Sequence, residues 1–452
     1  MTDLHPAPLL PRRGLLFGAA ASTFLAACGG GGSEPDGDPT IHEFSADKGS
    51  YFIGERARIM VRYAGASARL EPLGEEVANG ALVTTGPLSG RQRLRLVVQA
   101  PGRPSASRDL WLDVRFRDRW QAAEDFTATC HAAVTTADGQ VLVIGGSRGL
   151  GILSDGIDRF DAASGRFQRI GTLATGRSNH SALRLPDGRI LVCGGVTSTP
   201  EAPFAELLDE SNGASQRAGV MVEPRTRHAA AWLGDGRALV VGGFRRNSAE
   251  VWDPARRTWQ RLASRMAHDR EYHSLTELAD GRVLVAGGDS TVQSGYVFAE
   301  LFDPRTDTFT PLPGGLPERR QLHAAHRRAD HSVLLLGGER TGAAEIEPLA
   351  SVLRFDPATD RFTAEPALAI PRTLMASVRV PGDEVVLIGG QTPGELVSGS
   401  AAAWRAGEQR ALAPLPGARA WHTANRLPDG RIVVIGGDDA RGGYVSRTVV
   451  YD

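Results

Sequence analysis

The stretch His273 to Gly288, HSLTELADGRVLVAGG, decides the fold, because the same sixteen-residue pattern returns along most of the 452-residue chain. A glycine pair closes it, and such pairs begin at Gly145, Gly194, Gly242, Gly287, Gly337, Gly389 and Gly436, at intervals of 49, 48, 45, 50, 52 and 47 residues. Fourteen residues before each first glycine stands His131, His180, His228, His273, His323 or His422, with Met375 as the one exception. A fixed offset inside a variable period means a rigid unit joined by variable loops, and a period near 50 points to a β-propeller.

Within the unit, Ala-Asp-Gly-Arg or Pro-Asp-Gly-Arg separates two short apolar runs, as SALRL from ILVC or TANRL from IVVI. Asp-Gly between β-prone runs predicts a hairpin, because the turn needs a residue that accepts positive φ without steric cost. A variable loop follows the glycines, then a run ending in Asp161, Asp209, Asp253, Asp303 or Asp356. Six residues on, four repeats carry an aromatic: Phe167, Trp259, Phe309 and Phe362. The pattern gives four strands per unit, one propeller blade. The seventh unit runs out at Asp452 after three strands, while Trp120 lies in an unassigned segment just before His131. Trp120 is therefore expected to supply the missing strand, joining the two ends of the propeller in one sheet with no open edge.

Residues 117 to 452 resemble the kelch-repeat propellers, a family that includes the propeller domain of galactose oxidase. The double glycines, the R-x-x-H approach and the aromatic six after the Asp carry the resemblance. Two units depart from it: SNGASQRAG after Asp209 has no aromatic, and the sixth has Met375 for His and Trp404-Arg405 where the Asp should be.

A length of 452 residues suggests two or three domains, and 41% apolar residues is ample for a globular core. A net charge of −1 gives no reason to expect nucleic acid or an anionic membrane as partner. Lys48 is the only lysine, so the basic surface is built from arginine. Residues 1 to 28 read as an export signal. Arg12-Arg13 precede an apolar run, Gly14 to Ala27, too short for a comfortable membrane span. The run ends in Leu25-Ala26-Ala27-Cys28, which resembles the lipobox of bacterial lipoproteins; the resemblance implies that Cys28 becomes the lipid-modified first residue. The arginine pair resembles a twin-arginine signal in part, and Gly29 after the cysteine implies outer-membrane sorting. Residues 29 to 39, GGGGSEPDGDP, form a flexible tether.

Residues 40 to 116 change character. Alternating runs such as ARIMVRY, RLRLVVQA and LWLDVRF, parted by Gly and Pro turns, predict a small β-sandwich resembling the immunoglobulin-like domains of bacterial surface proteins. Its expected role is a spacer, with direct ligand binding as the alternative. Cys130 and Cys193 occupy non-equivalent repeat positions, so a disulfide and two free thiols both remain open.

Strand direction alternates within a blade, so the loop after the glycines and the loop leading into R-x-x-H share one face. In kelch propellers the strand starting at the His is innermost, which places R-x-x-H around the mouth of the central channel. A ring of Arg177, Arg225, Arg270, Arg320, Arg372 and Arg419 results. Converging guanidiniums would suit a carboxylate, sulfate or phosphate. The alternative is that these arginines and the histidines, His273 among them, are repeat-consensus groups bonded to the next blade. Positions that differ between blades are better candidates for specificity: Cys130, Asn179, Arg227, Tyr272, Leu322, Leu374 and Trp421, each just before the His or Met. Loop residues such as Phe244, Asp289, Tyr296 and Asp438 add aromatic and acidic groups of the kind a sugar site uses.

Tyr272-His273-Ser274 before a Gly-Arg-Val turn resembles the galactose oxidase stretch that carries an axial tyrosine and a histidine ligand, and Cys130 holds the place of that family's cross-linked cysteine. Asn179 stands where the partner tyrosine should be, and the family's remaining histidine comes from a domain after the propeller, whereas this sequence stops at Asp452. A sugar epimerase or mutarotase is the other enzyme reading, with Glu271 and Asp269 beside Tyr272 as acid–base candidates and solvated loop charges as the alternative. The sequence alone thus leads to a lipid-anchored envelope protein that binds a glycan or envelope protein non-catalytically at the channel mouth through Arg227, Tyr272, Trp421 and their neighbours. It leads to no cofactor, no metal and no nucleic acid.

Overall fold

The computed structural model describes residues 38–148, 151–198, 204–291, 299–340 and 346–452. Seven four-stranded antiparallel sheets form a β-propeller, preceded by a small β-sandwich. The sandwich packs a three-stranded sheet containing Thr40–Ala46 and Arg58–Ala64 over a four-stranded sheet containing Ser67–Glu71 and Gln92–Gln99. Alternate residues point inward, so Ile59, Val61, Leu94, Leu96 and Val98 fill one core.

Each blade follows one plan. In blade 4 the strands are Ser274–Glu277, Val283–Ala286, Ala299–Asp303 and Thr308–Pro311, hydrogen-bonded in chain order. First strands of neighbouring blades lie side by side around the axis, from blade 7 back to blade 1. Apart from the leading Arg189 and Glu384 in blades 2 and 6, the second strand is buried in every blade because neighbouring blades cover both its faces, which is why it reads as an apolar run. Seven apolar clusters, one per seam, hold the ring; the seam of blades 3 and 4 contains Leu239, Val241, Val283, Val285 and Phe302.

The recurrent aromatics form cross-strand pairs. Phe160 faces Phe167, Trp252 faces Trp259, Phe302 faces Phe309 and Phe355 faces Phe362, with ring centroids 4.9–5.0 Å apart in the phenylalanine pairs. Blade 7 obtains its fourth strand from the other end of the propeller: Trp120–Ala122 pairs with Val449–Tyr451, and Trp120 lies 4.9 Å from Tyr451 as the aromatic partner. Arg119 holds Asp452 through Nε–Oδ1 and Nη2–Oδ2 contacts of 2.9 and 3.1 Å.

The double glycines make the seams. The second glycine of each blade donates its N–H to the carbonyl of the next blade's R-x-x-H arginine, from Gly146 to Arg177 at 2.8 Å round to Gly390 and Arg419 at 2.8 Å; Gly437 closes the ring on Ala128 at 3.0 Å. At the first glycine, φ is 57–66° in every blade, and a Cβ on Gly145 would stand 2.6 Å from the Arg177 carbonyl oxygen. Only glycine meets both conditions. The expected closure has a measurable consequence: Tyr451→Ala should destabilise the ring by about 3–5 kcal/mol, the usual cost of truncating a buried aromatic. Denaturant unfolding monitored by tryptophan fluorescence would show it, and an unchanged midpoint would contradict the role given to this strand.

Candidate functional site at the channel mouth

The site is built from the seven residues that precede the repeat His or Met. Cys130, Asn179, Arg227, Tyr272, Leu322, Leu374 and Trp421 all have φ between 52° and 58°, the left-handed region. None is glycine, and each such residue stores about 1–3 kcal/mol of strain. Part of the compensation is a run of backbone bonds around the axis: the N–H of Asn179 reaches the Cys130 carbonyl at 3.0 Å, and Arg227, Tyr272 and Leu322 repeat the step at 3.3, 3.1 and 3.2 Å. These residues line a cavity of about 380 Å³, with the histidines beneath them.

The cavity is unequal around its rim. Blades 5 and 6 place only leucines, Leu322 and Leu374, before their repeat His or Met, whereas Arg227, Glu271 and Tyr272 of blades 3 and 4 meet Trp421, which reaches across the channel from blade 7. The Tyr272 and Trp421 rings meet at 5.8 Å, and the Arg227 guanidinium sits 5.2 Å from the Tyr272 ring and 5.7 Å from the Phe244 ring. Arg227 Nη1 lies 3.3 Å from Glu271 Oε1, and the Glu271 side chain is 15% exposed. Burial raises the Glu271 carboxyl above its ordinary value despite the guanidinium, and burial pushes the Tyr272 phenol up to about 12. A second cleft of about 240 Å³, lined by Phe244, Arg245, Asp269, Glu271 and Asp289, shares Glu271 at blades 3 and 4. A ring floor, a guanidinium and a half-buried carboxylate can hold a hydroxylated substrate and exchange a proton with it.

The arginine ring requires a correction. Arg177, Arg225, Arg270, Arg320, Arg372 and Arg419 are at most 2% exposed and do not line the mouth. Five of them reach the carbonyl of their own blade's first glycine at 2.9–3.2 Å: Gly194, Gly242, Gly287, Gly337 and Gly436. A guanidinium's fork of donors suits a corner where carbonyls converge; in blade 6, Arg372 reaches the Ser400 carbonyl at 3.3 Å instead. The histidines also serve the seams. His228 Nε2 bonds Ser181 Oγ at 2.8 Å, His323 bonds Ser274 at 2.9 Å and His131 bonds Thr423 at 2.9 Å, each across a blade boundary. Burial holds the imidazole at about 4 in His131, at about 3 in His180, His228, His323 and His422, and well below its ordinary value in His273, so all six are neutral.

Of the residues expected to bind, the structure therefore brings Arg227, Tyr272 and Trp421 together, places His273 beneath them, and withdraws the six repeat arginines. Glu271, which the sequence offered with Asp269 as either an acid–base candidate or a solvated loop charge, is the half-buried acid of the site. The signal for it was its place between the variable residue Tyr272 and the repeat arginine. Cys130 and Cys193 are free thiols, the first on the mouth and the second buried against Ser181. Cys28 and Tyr296 lie outside the described residues.

No protein-family model matches the chain, and no curated protein matches it. Among solved structures, the chain is similar to a novel fungal alcohol oxidase with catalytic diversity among the AA5 family, in complex with copper, at a TM-score of 0.63 and 17% identity, over 74% of this chain and 76% of that one. The likeness establishes the fold. It also overturns the expectation of non-catalytic glycan or protein binding at the channel mouth, because a protein that shares the fold is named an alcohol oxidase. Its copper does not carry over. Among the described residues, no three His, Cys, Asp or Glu side chains converge to hold a metal, and the amide of Asn179 stands where the resemblance calls for a phenol. Three of the imidazoles are already spent on blade seams.

The division between scaffold and site is testable by stability. Arg225→Met leaves Glu250 buried without its guanidinium, which is 3.0 Å away, and should cost about 3–5 kcal/mol. Arg227→Ala, at a 38% exposed side chain, should cost no more than about 1 kcal/mol. Equal losses in chemical denaturation would collapse the distinction.

Proposed function

We propose that this chain is an oxidase-like enzyme that acts on a hydroxyl-bearing small substrate, an alcohol or sugar, at the channel mouth, where residues of blades 3 and 4 meet the Trp421 indole of blade 7. One observation carries the reading: Glu271, a half-buried carboxylate with a raised pKa, lies against Arg227 beside the Tyr272–Trp421 ring pair. The rings seat the carbon skeleton, Arg227 orients the hydroxyl oxygen, and Glu271 accepts the hydroxyl proton. Oxidation to the carbonyl then sends the carbinol hydrogen, with two electrons, to an acceptor of the quinone or dioxygen class. The neighbour's substrate class, an alcohol, supports this choice. The kelch-type repeat and its galactose oxidase resemblance agree with it.

The test is turnover of primary alcohols and sugars, read as quinone-dye reduction and oxygen uptake. Glu271→Gln should lower kcat by about 10²–10⁴-fold with the fold retained. Because the base works deprotonated and burial has raised its pKa, the rate should fall on acidification through a value above the ordinary carboxylate pKa of 4.5. Preincubation with copper should leave the rate unchanged. Folded protein that turns over no alcohol with either acceptor would overturn the reading.

We also infer that the chain is exported through residues 1 to 28 and anchored through a lipid on Cys28 to a bacterial envelope membrane. The motif Leu25-Ala26-Ala27-Cys28 and the tether of residues 29 to 39 support this. Cys28→Ser should move the protein from the membrane fraction to the soluble fraction. Retention of the variant in the membrane fraction would rule the anchor out.

A further inference from the structure

The buried arginines are not all paired alike. In blades 2, 3 and 4 the guanidinium meets a third-strand carboxylate: Arg177 with Glu206 at 2.8 Å, Arg225 with Glu250 at 3.0 Å and Arg270 with Glu300 at 2.5 Å. The same carboxylate accepts the backbone N–H three residues before the arginine, from Ala174 at 2.8 Å, Val222 at 2.7 Å and Ala267 at 3.1 Å. Each Glu stands opposite the residue two before its blade's first glycine: Val192, Val240 and Val285. By that register the matching positions are Leu353 in blade 5, Ala402 in blade 6 and Val449 in blade 7.

Blades 5 and 7 lose donor and acceptor together. The residue three before Arg320 or Arg419 is Pro317 or Pro416, which has no N–H to leave unpaired. Blade 6 has lost only the acid. Arg372 is 1% exposed, with Nη contacts to the Ser400 carbonyl at 3.3 Å and the Ser400 hydroxyl at 3.2 Å, and its Nε has no partner. No carboxylate stands within ion-pair distance of it among the described residues. The Ala369 N–H is present, held by Gln409 Oε1 at 2.6 Å. Where a glutamate side chain would extend from Ala402 there is a cavity of about 230 Å³, lined by Arg372, Gln409, Ile370, Leu387 and Leu412. Burial lowers the Arg372 guanidinium to about 10, which leaves it charged at neutral pH. A desolvated cation without a counter-ion is costly, and a matching anion relieves that cost.

We propose that blade 6 carries a binding site for a small monocarboxylate with a compact apolar body. The carboxylate takes the place of the glutamate missing at Ala402, bonding Arg372 and displacing Gln409 from the Ala369 N–H. The body packs on Leu387 and Leu412. A single guanidinium and a single amide match one carboxylate, and the apolar walls disfavour a dianion such as sulfate or phosphate. The cavity is below the range of drug-sized pockets, so the ligand is of the size of benzoate or butyrate. This site is separate from the channel mouth and does not depend on the activity assigned there.

The experiment is calorimetric titration and thermal shift of the full chain with benzoate and butyrate, with benzamide and sodium sulfate as controls. Benzoate or butyrate should bind saturably and raise the melting temperature, and benzamide and sulfate should not. Ala402→Glu restores the arrangement of blades 2 to 4; it should fold at least as stably and weaken benzoate binding at least about tenfold. Gln409→Ala removes the competing amide and should tighten binding, which keeps the test decisive if Ala402→Glu fails to fold. The proposal is overturned if neither acid binds, if benzamide or sulfate acts equally, or if benzoate binding survives unchanged in folded Ala402→Glu.

Discussion

The propeller depends on one local arrangement, the corner where a buried guanidinium meets a glycine carbonyl. The arginine's backbone carbonyl takes the N–H of the preceding blade's second glycine, while its side chain reaches the carbonyl of its own blade's first glycine. One residue thus ties two blades and closes a third set of bonds with the third strand. A charged group this deep persists only because carbonyls, and in blades 2 to 4 a carboxylate, surround it. The corner also explains both glycines, since a side chain at either would strike the neighbouring backbone.

What the corner fixes, the site exploits. Two residues after the arginine the chain must turn inward, and it does so with a left-handed residue in all seven blades. The backbone there is nearly invariant while the side chain is not, so the ring carries a guanidinium and a phenol on blades 3 and 4, leucines on blades 5 and 6 and an indole on blade 7. Rigid surroundings determine geometry and free positions determine chemistry, the usual division on a propeller face. The same logic holds at Arg372, where a repeat group remains and its partner has been lost.

Much of this was legible in the residues. Asp-Gly turns, fixed His-to-glycine offsets and aromatic spacing are local constraints, each confined to one hairpin, and they specify blade count, strand order and even the closing strand at Trp120. The seven variable positions before the histidine were legible as well, because departures from a repeat stand out against it. The depth of the arginines was not. Whether a guanidinium faces the channel or its own blade depends on the glycine carbonyls seventeen residues on, and nothing in an R-x-x-H pattern shows which way the side chain runs. For Glu271 the residues left the acid–base and loop-charge roles both open, since its ion pair is made with Arg227 of the neighbouring blade.

By itself, then, the sequence determined the ring: periodic hydrophobicity and turn chemistry act within about 50 residues, and each repeat states them afresh. Only the tertiary structure decided which charges are scaffold and which are exposed to a ligand. Burial and pairing are set where blades 3, 4 and 7 converge at the mouth, and where Ala402 leaves space beside Arg372, through contacts between residues far apart in the chain. Charge energetics follow from that desolvation, which no single repeat encodes.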